Sequence, residues 1–234
     1  AASASPARAS TLERPGSRSE GSSHELDAVR VRGPGAERLS WRLGQFCVRS
    51  WSPADRGPAS QLIGDVLAEY GLGWEPDGAD RDVVQVEACY EEAGGEFWVV
   101  EGEREWLSQV GSGGDYGGRI VGTAGYYPRT GRPGEVEIRK MYLAPCARGY
   151  GLGGALLSAL ERRAADRGYT RAVVETASVL TEACALYRRR GYEPMRDVET
   201  ARCDMALSRP IGQAAGGAAP WASKATHAPR ASWI

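Results

Sequence analysis

The chain has 234 residues, 42% hydrophobic and 25% charged, enough for one globular domain with a proper core. Its formal net charge of -1 excludes a global basic field for nucleic acid or anionic lipid. No apolar run approaches the roughly 20 residues of a membrane span, so neither a membrane nor a nucleic-acid partner is expected.

The five cysteines (Cys47, Cys89, Cys146, Cys184, Cys203) are scattered and form no C-x-x-C pair or Cys/His cluster. Neither a metal site nor a disulfide framework is indicated, and reduced thiols in an intracellular, cytoplasmic protein are expected. The two histidines, His24 and His227, fall in tail-like segments, which argues against a Ser-His-Asp triad or a Cys-His pair. Any chemistry must come from carboxylates, tyrosines, backbone amides and a cofactor.

Residues 1–40, rich in Ala, Ser, Arg, Gly and Pro, read as a disordered tail. The opening AASASPARAS has the bias of a plastid or mitochondrial address, against which Glu20, Glu25 and Asp27 count. The domain is expected over 41–207, with a second low-complexity tail over 208–234. Gln45 to Trp51 reads as a first strand. Leu62, Ile63, Val66, Leu67 and Tyr70 recur at helical spacing within Pro53 to Tyr70. Val83, Val86 and Tyr90 predict a second helix over Asp80 to Tyr90. Strands follow at Phe97 to Val100 and Arg119 to Tyr127, joined by a long loop containing SGGDYGG. Arg132-Pro133-Gly134 turns into a third meander strand, Val136 to Leu143. A helix (Gly149 to Arg167), a strand (Ala172 to Thr176), a helix (Thr181 to Arg190) and a strand near Thr200 to Leu207 complete the pattern. Antiparallel strands first and β-α-β later predict an α+β fold with a mixed, mostly antiparallel sheet flanked by helices.

The segment Tyr142 to Leu157 reads YLAPCARGYGLGGALL. Pro145 stops the strand, glycines at 149, 151, 153 and 154 strip the turn of side chains, and Leu152, Leu156 and Leu160 start a helix. Glycines let backbone N–H groups approach an anion, the helix N-terminus adds partial positive charge, and Arg148 adds a cation at the mouth. The segment therefore reads as a diphosphate cradle. A tight strand-helix turn without a ligand is the alternative. Gly149, Gly151 and Gly154 also spell G-x-G-x-x-G, with Glu175 near the end of the next strand, which imitates the fingerprint of a dinucleotide-binding oxidoreductase. Too little chain follows for the further βα units that such a fold needs.

Arg148-Gly149-Tyr150-Gly151-Leu152-Gly153 resembles the Arg/Gln-x-x-Gly-x-Gly/Ala signature of the GNAT superfamily of N-acetyltransferases. Glu137 to Pro145 is similar to that family's fourth strand and its exit. Ala185-Leu186-Tyr187 with Gly191-Tyr192 resembles its second half-motif. The resemblance is strong over about 118–207 and weaker over 44–101. Where many members carry an Asn before the last helix, this chain has Leu180-Thr181.

The resemblance implies direct acetyl transfer from acetyl-CoA to an amine, with no metal. It places the diphosphate on Arg148, Gly149, Tyr150, Gly151, Leu152, Gly153 and Gly154, and the pantetheine arm and oxyanion on the backbone of Met141, Tyr142 and Leu143. An alkyl ammonium loses its proton at neutral pH at a cost of about 4–5 kcal/mol, so a base is useful. Glu137 is the first candidate, either as that base or as a strand residue paired with Arg139; Glu175 is the second. Tyr187 is the expected proton donor to the leaving thiolate, its alternative role being helix packing. Cys146 and Cys184 have no histidine to activate them and read as incidental thiols. The acceptor is expected to be a primary amine of a small molecule or peptide, met by the front half, where Tyr70, Leu72, Trp74, Tyr126 and Tyr127 are groove or packing residues. A homodimer is compatible with the sequence. A non-catalytic CoA-binding module of the same fold is the remaining alternative.

Overall fold

The structure, a computed structural model, describes residues 29–33, 36–110, 119–196 and 198–212. Nine strands form one sheet: β1 (Val29–Gly33), β2 (Ala36–Leu43), β3 (Phe46–Ser50), β4 (Glu96–Gly102), β5 (Ile120–Pro128), β6 (Glu135–Leu143), β7 (Arg171–Thr176), β8 (Glu193–Met195) and β9 (Met205–Pro210). The spatial order is β1-β2-β3-β4-β5-β6-β7-β9-β8. Every neighbouring pair is antiparallel except β6 and β7. The helices are α1 (Arg56–Glu69), α2 (Arg81–Val84), α3 (Arg104–Val110), α4 (Leu152–Asp166) and α5 (Thr181–Arg189). This is the mixed, mostly antiparallel architecture that the sequence predicts.

Strand β4 shows why the sheet is central. Trp98, Val99 and Val100 are all fully buried, so both of its faces are covered. The expected apolar face of α1 packs there too, with Leu62 and Val66 in the main core, while Ile63 and Leu67 join Val83 in a second cluster. Each such side chain contributes about 1.5–3 kcal/mol on burial.

Besides the three-residue β8, which the sequence reading did not foresee, four elements differ from it. The stretch 1–40, expected as a tail, contains β1 and the start of β2; Val29 and Val31 alternate with Arg30 and Arg32 at the strand period, a signal hidden among Gly, Pro and Ser. Strand β9 runs on to Pro210, past the expected boundary at 207, because it pairs with β7 along its whole length. The single helix expected over Asp80 to Tyr90 is broken at Gln85 into α2 and a π-turn, Glu87–Glu91. The break separates Val83, on the second cluster, from Val86 and Tyr90, in the main core. Helix α3 occupies the start of the expected long loop, and its Trp106 and Leu107 pack on the core. The expected tail segments 1–28 and 213–234 and the SGGDYGG stretch lie outside the described residues.

Candidate active site

The site begins where β6 and β7 part. They pair only at Glu135 with Arg171, Val136 with Ala172 and Glu137 with Val173. Beyond Glu137 the ladder stops, although β6 continues to Leu143 and β7 to Thr176. Parallel strands separating in mid-sheet leave the backbone of β6 without a partner on that side, and such groups must find another.

A cleft fills the gap. It is lined by Met141, Tyr142, Leu180, Ala183 and Tyr187 together with Glu137, Arg139, Glu175, Thr200, Arg202 and Cys203. Leu72 reaches in from the chain that follows α1.

A bulge shapes the β6 wall. Thr123 faces Tyr142 but Gly125 faces Arg139, so Lys140 and Met141 together oppose Ala124. Lys140 takes φ 53°, a left-handed conformation rare outside glycine, and Thr123 Oγ1 donates to its carbonyl at 2.7 Å.

The glycine loop follows β6 through a short turn, Pro145–Ala147. Gly149 and Gly151 have φ 84° and 79°, and Gly151 caps the N-terminus of α4. A side chain at either would be strained by backbone alone. A Cβ on Gly149, Gly151 or Gly154 would meet nothing within 4 Å, so this side of the loop is open. A turn made only for tight packing would be filled there. The loop thus has the open, donor-rich form that a diphosphate requires.

Arg148 is placed otherwise than the sequence suggests. Its Nε donates to Leu143 O at 2.9 Å, and its two terminal nitrogens donate to Glu69 at 2.7 and 2.8 Å. The guanidinium already holds a carboxylate at the mouth of the loop. Tyr150, also expected at the phosphates, is about half exposed, its ring set edge-on to Phe46 and Trp106.

Glu137 is 6% exposed at the bottom of the cleft. Burial raises its pKa above the usual carboxylate value, opposed by Arg139 and reinforced by Glu175. Its carboxylate lies 3.6 Å from Arg139 Nε, and Tyr127 Oη donates to it at 3.4 Å. Glu137 therefore lines the cleft and pairs with Arg139, the pairing role that the sequence offered beside that of base. Glu175 differs. Its two oxygens accept the backbone N–H groups of Glu199 and Thr200 at 2.9 and 2.8 Å, and Arg129 lies 3.8 Å away. It fastens the segment before β9 to the cleft wall.

Tyr187 sits on α5 directly across the slot, its hydroxyl 4.0 Å from Met141 Sδ. Burial raises its pKa well above the ordinary phenol value, so the hydroxyl keeps its proton at neutral pH. Its ring also packs on Tyr192. Burial likewise raises the thiols of Cys146 and Cys184, which makes neither a ready nucleophile.

Of the front-half aromatics, Tyr126 is core and Trp74 packs in the second cluster. Tyr127 touches Glu137, and Tyr70 Oη donates to Glu182 at 2.9 Å.

Sequence reasoning missed a buried charge network beside the cleft. Lys140 Nζ lies 2.6 Å from Asp80 and 3.2 Å from Asp82. Arg202 grips both oxygens of Asp80 at 2.7 and 2.8 Å and donates to Gly73 O at 3.0 Å. Arg139 lies 3.4 Å from Asp82. The only sequence signal was a pair of cations, Arg139-Lys140, inside an apolar strand. Their partners lie about 60 residues upstream of them.

Among the described residues no group of His, Cys, Asp and Glu is arranged to hold a metal ion. No described helix is long and apolar enough to cross a membrane. The dinucleotide alternative needs a doubly wound parallel sheet, whereas here β6 and β7 are the one parallel pair in the described sheet.

Known proteins agree with this geometry. The chain is 33% identical over 142 residues to the uncharacterized N-acetyltransferase YjgM of Escherichia coli, covering 59% of this chain and 77% of that protein. It is 27% identical to the probable N-acetyltransferase family 8 member 5 of Mus musculus, covering 66% of this chain and only 60% of that protein. In fold it is similar to a GNAT-family acetyltransferase of Staphylococcus aureus, with a TM-score of 0.60, 15% identity and coverage of 71% and 99% of the two chains. It also resembles a GNAT superfamily phosphinothricin acetyltransferase of Sinorhizobium meliloti solved in complex with AcCoA, with a TM-score of 0.55, 21% identity and coverage of 74% and 92%. Residues 69–192 match the model of the Acetyltransferase (GNAT) family. That match spans the parted strands, the glycine loop and Tyr187, and the chain belongs to the GNAT family, as an N-acetyltransferase enzyme.

Proposed function

We propose that the chain moves an acetyl group from acetyl-CoA directly to a primary amine of a small molecule or peptide. The observation that carries this reading is the parted β6–β7 ladder, with Tyr187 facing Met141 across it and the open glycine loop at its end. On the side that β7 leaves, the backbone of Met141 to Leu143, where Leu143 O already accepts from Arg148 Nε, can pair with an amide-bearing arm as a strand would. The open loop from Arg148 to Gly154 suits the diphosphate.

Glu137, buried and with a raised pKa, takes the amine proton through water. A backbone N–H between Met141 and Leu143 stabilises the oxyanion formed on attack. Tyr187 returns a proton to the departing thiolate; burial raises its pKa, so the hydroxyl is still protonated when the thiolate leaves. Arg139 and Tyr127 hold the Glu137 carboxylate in place.

The test is an amine panel with acetyl-CoA, following release of the free CoA thiol. Turnover of at least one primary amine, with mass gain of one acetyl on nitrogen, is the expected result. CoA binding without transfer to any amine, peptide N-terminus or lysine peptide would overturn it.

A further inference from the structure

The segment that ends α1 is tied to both walls of the β6–β7 opening. Glu69 accepts two hydrogen bonds from Arg148, on the loop that leaves β6, at 2.7 and 2.8 Å. The next residue, Tyr70, donates to Glu182, in the first turn of the helix that leaves β7, at 2.9 Å. The turn that follows closes α1, with Leu72 N donating to Leu67 O and Gly71 N to Ala68 O, and sends Leu72 back into the cleft. Gly73 O then accepts from Arg202, which lines the cleft. Two consecutive side chains therefore bridge walls that the sheet holds apart.

The contact at Arg148 has a chemical meaning beyond packing. A guanidinium that holds a carboxylate bidentately presents the geometry it would offer a phosphate. Glu69 is thus an internal anion seated at the mouth of the loop proposed for a diphosphate. Both members of the pair are about one-third exposed, so the bond is exchangeable and of modest strength.

We infer that Glu69 and Tyr70 form a strap across the cofactor slot, and that Glu69 competes with the diphosphate of CoA for Arg148. CoA entering between β6 and β7 displaces the Glu69 carboxylate from the guanidinium, and the strap loosens at that end. Glu69 and Tyr70 are then positioning residues that set cofactor affinity and touch no reacting atom. This inference rests on the reading of the loop and slot as the CoA site.

Calorimetric titration of CoA into the full chain and its Glu69→Gln, Tyr70→Phe and Glu182→Gln variants tests it. Glu69→Gln removes the competing charge, and CoA is expected to bind roughly two- to fivefold more tightly, the range that an exposed ion pair allows. Tyr70→Phe removes the other tie and Glu182→Gln weakens it by taking the charge from its acceptor, and both are expected to shift affinity in the same direction. Circular dichroism and a thermal melt of each variant confirm the fold. If the wild-type chain fails to bind CoA, the cofactor reading itself falls. If it binds and Glu69→Gln binds equally or more weakly, Glu69 does not compete and the strap inference is overturned. If Glu69→Gln binds more tightly but neither of the other variants does, the tie at Tyr70 has no part in it and the strap is likewise rejected.

Discussion

The Lys140 ammonium lies 2.6 Å from Asp80 Oδ1, joining the bulge of β6 to the residue that precedes α2. Asp80 is fully buried and also takes the Arg202 fork, so one carboxylate ties β6 to the segment before β9. Burial pushes its pKa upward, but the hydrogen bonds from Arg202 and the charge of Lys140 outweigh it and hold it at about 2.

Asp80→Asn leaves two buried cations short of their partner, and the expected loss in urea denaturation is about 3–5 kcal/mol. Because the folded pKa is depressed below the unfolded value near 3.9, the stabilisation is present above about pH 4 and is lost as pH falls toward 2. The variant is expected to show a shallower acid dependence. A variant within about 1 kcal/mol of wild type would mean that the network contributes little.

Glu137→Gln separates catalysis from stability. As a base, Glu137 works only when ionised, so the rate should rise with pH through its raised pKa, and the variant should lose that limb with about a 10²-fold fall in kcat/KM. A raised carboxylate pKa contributes stability below the unfolded value, lost as pH rises through the folded one. At neutral pH the buried charge is therefore a cost, and Gln removes it. The melting temperature should hold or rise; a fall in both would mark Glu137 as structural.

Tyr187→Phe keeps the ring that packs against Tyr192, with centroids 5.6 Å apart, and removes only the hydroxyl. The expected effect is about a 10²-fold fall in kcat with KM for acetyl-CoA nearly unchanged. An unchanged kcat would show that another group protonates the thiolate.

The glycines of the loop should divide by backbone conformation. Gly151→Ala forces a side chain into φ 79° and is expected to cost about 1–2 kcal/mol of stability. Gly154→Ala sits in a helical turn with free space around it and is expected to gain up to about 1 kcal/mol. Thermal melts of the two variants measure the difference, and equal destabilisation would contradict it.

Much of the site was legible in the sequence because it is local. The glycines after Leu143 and the leucines of α4 lie within one stretch of chain, and the helical spacing of α1 is a property of its own residues. Elements were missed where the signal was short or diluted: three residues of β8, the Val-Arg alternation of β1, and the break at Gln85 that lets neighbouring turns serve two clusters.

Partners far apart in sequence were not legible at all. Arg148 read as a free cation because nothing in its neighbourhood shows Glu69, 79 residues earlier. Likewise nothing near Glu175 shows that its oxygens accept the backbone N–H groups of Glu199 and Thr200, 24 and 25 residues later.

By itself the sequence determined the open glycine loop after a strand, and the tyrosine on the following helix, because turn conformation and helical spacing depend on adjacent residues. Only the tertiary structure decided what those residues face. The parting of β6 from β7, the Asp80 network and the Glu69–Arg148 pair arise from chain folding back on itself, where a charge finds its partner by proximity in space rather than order along the chain.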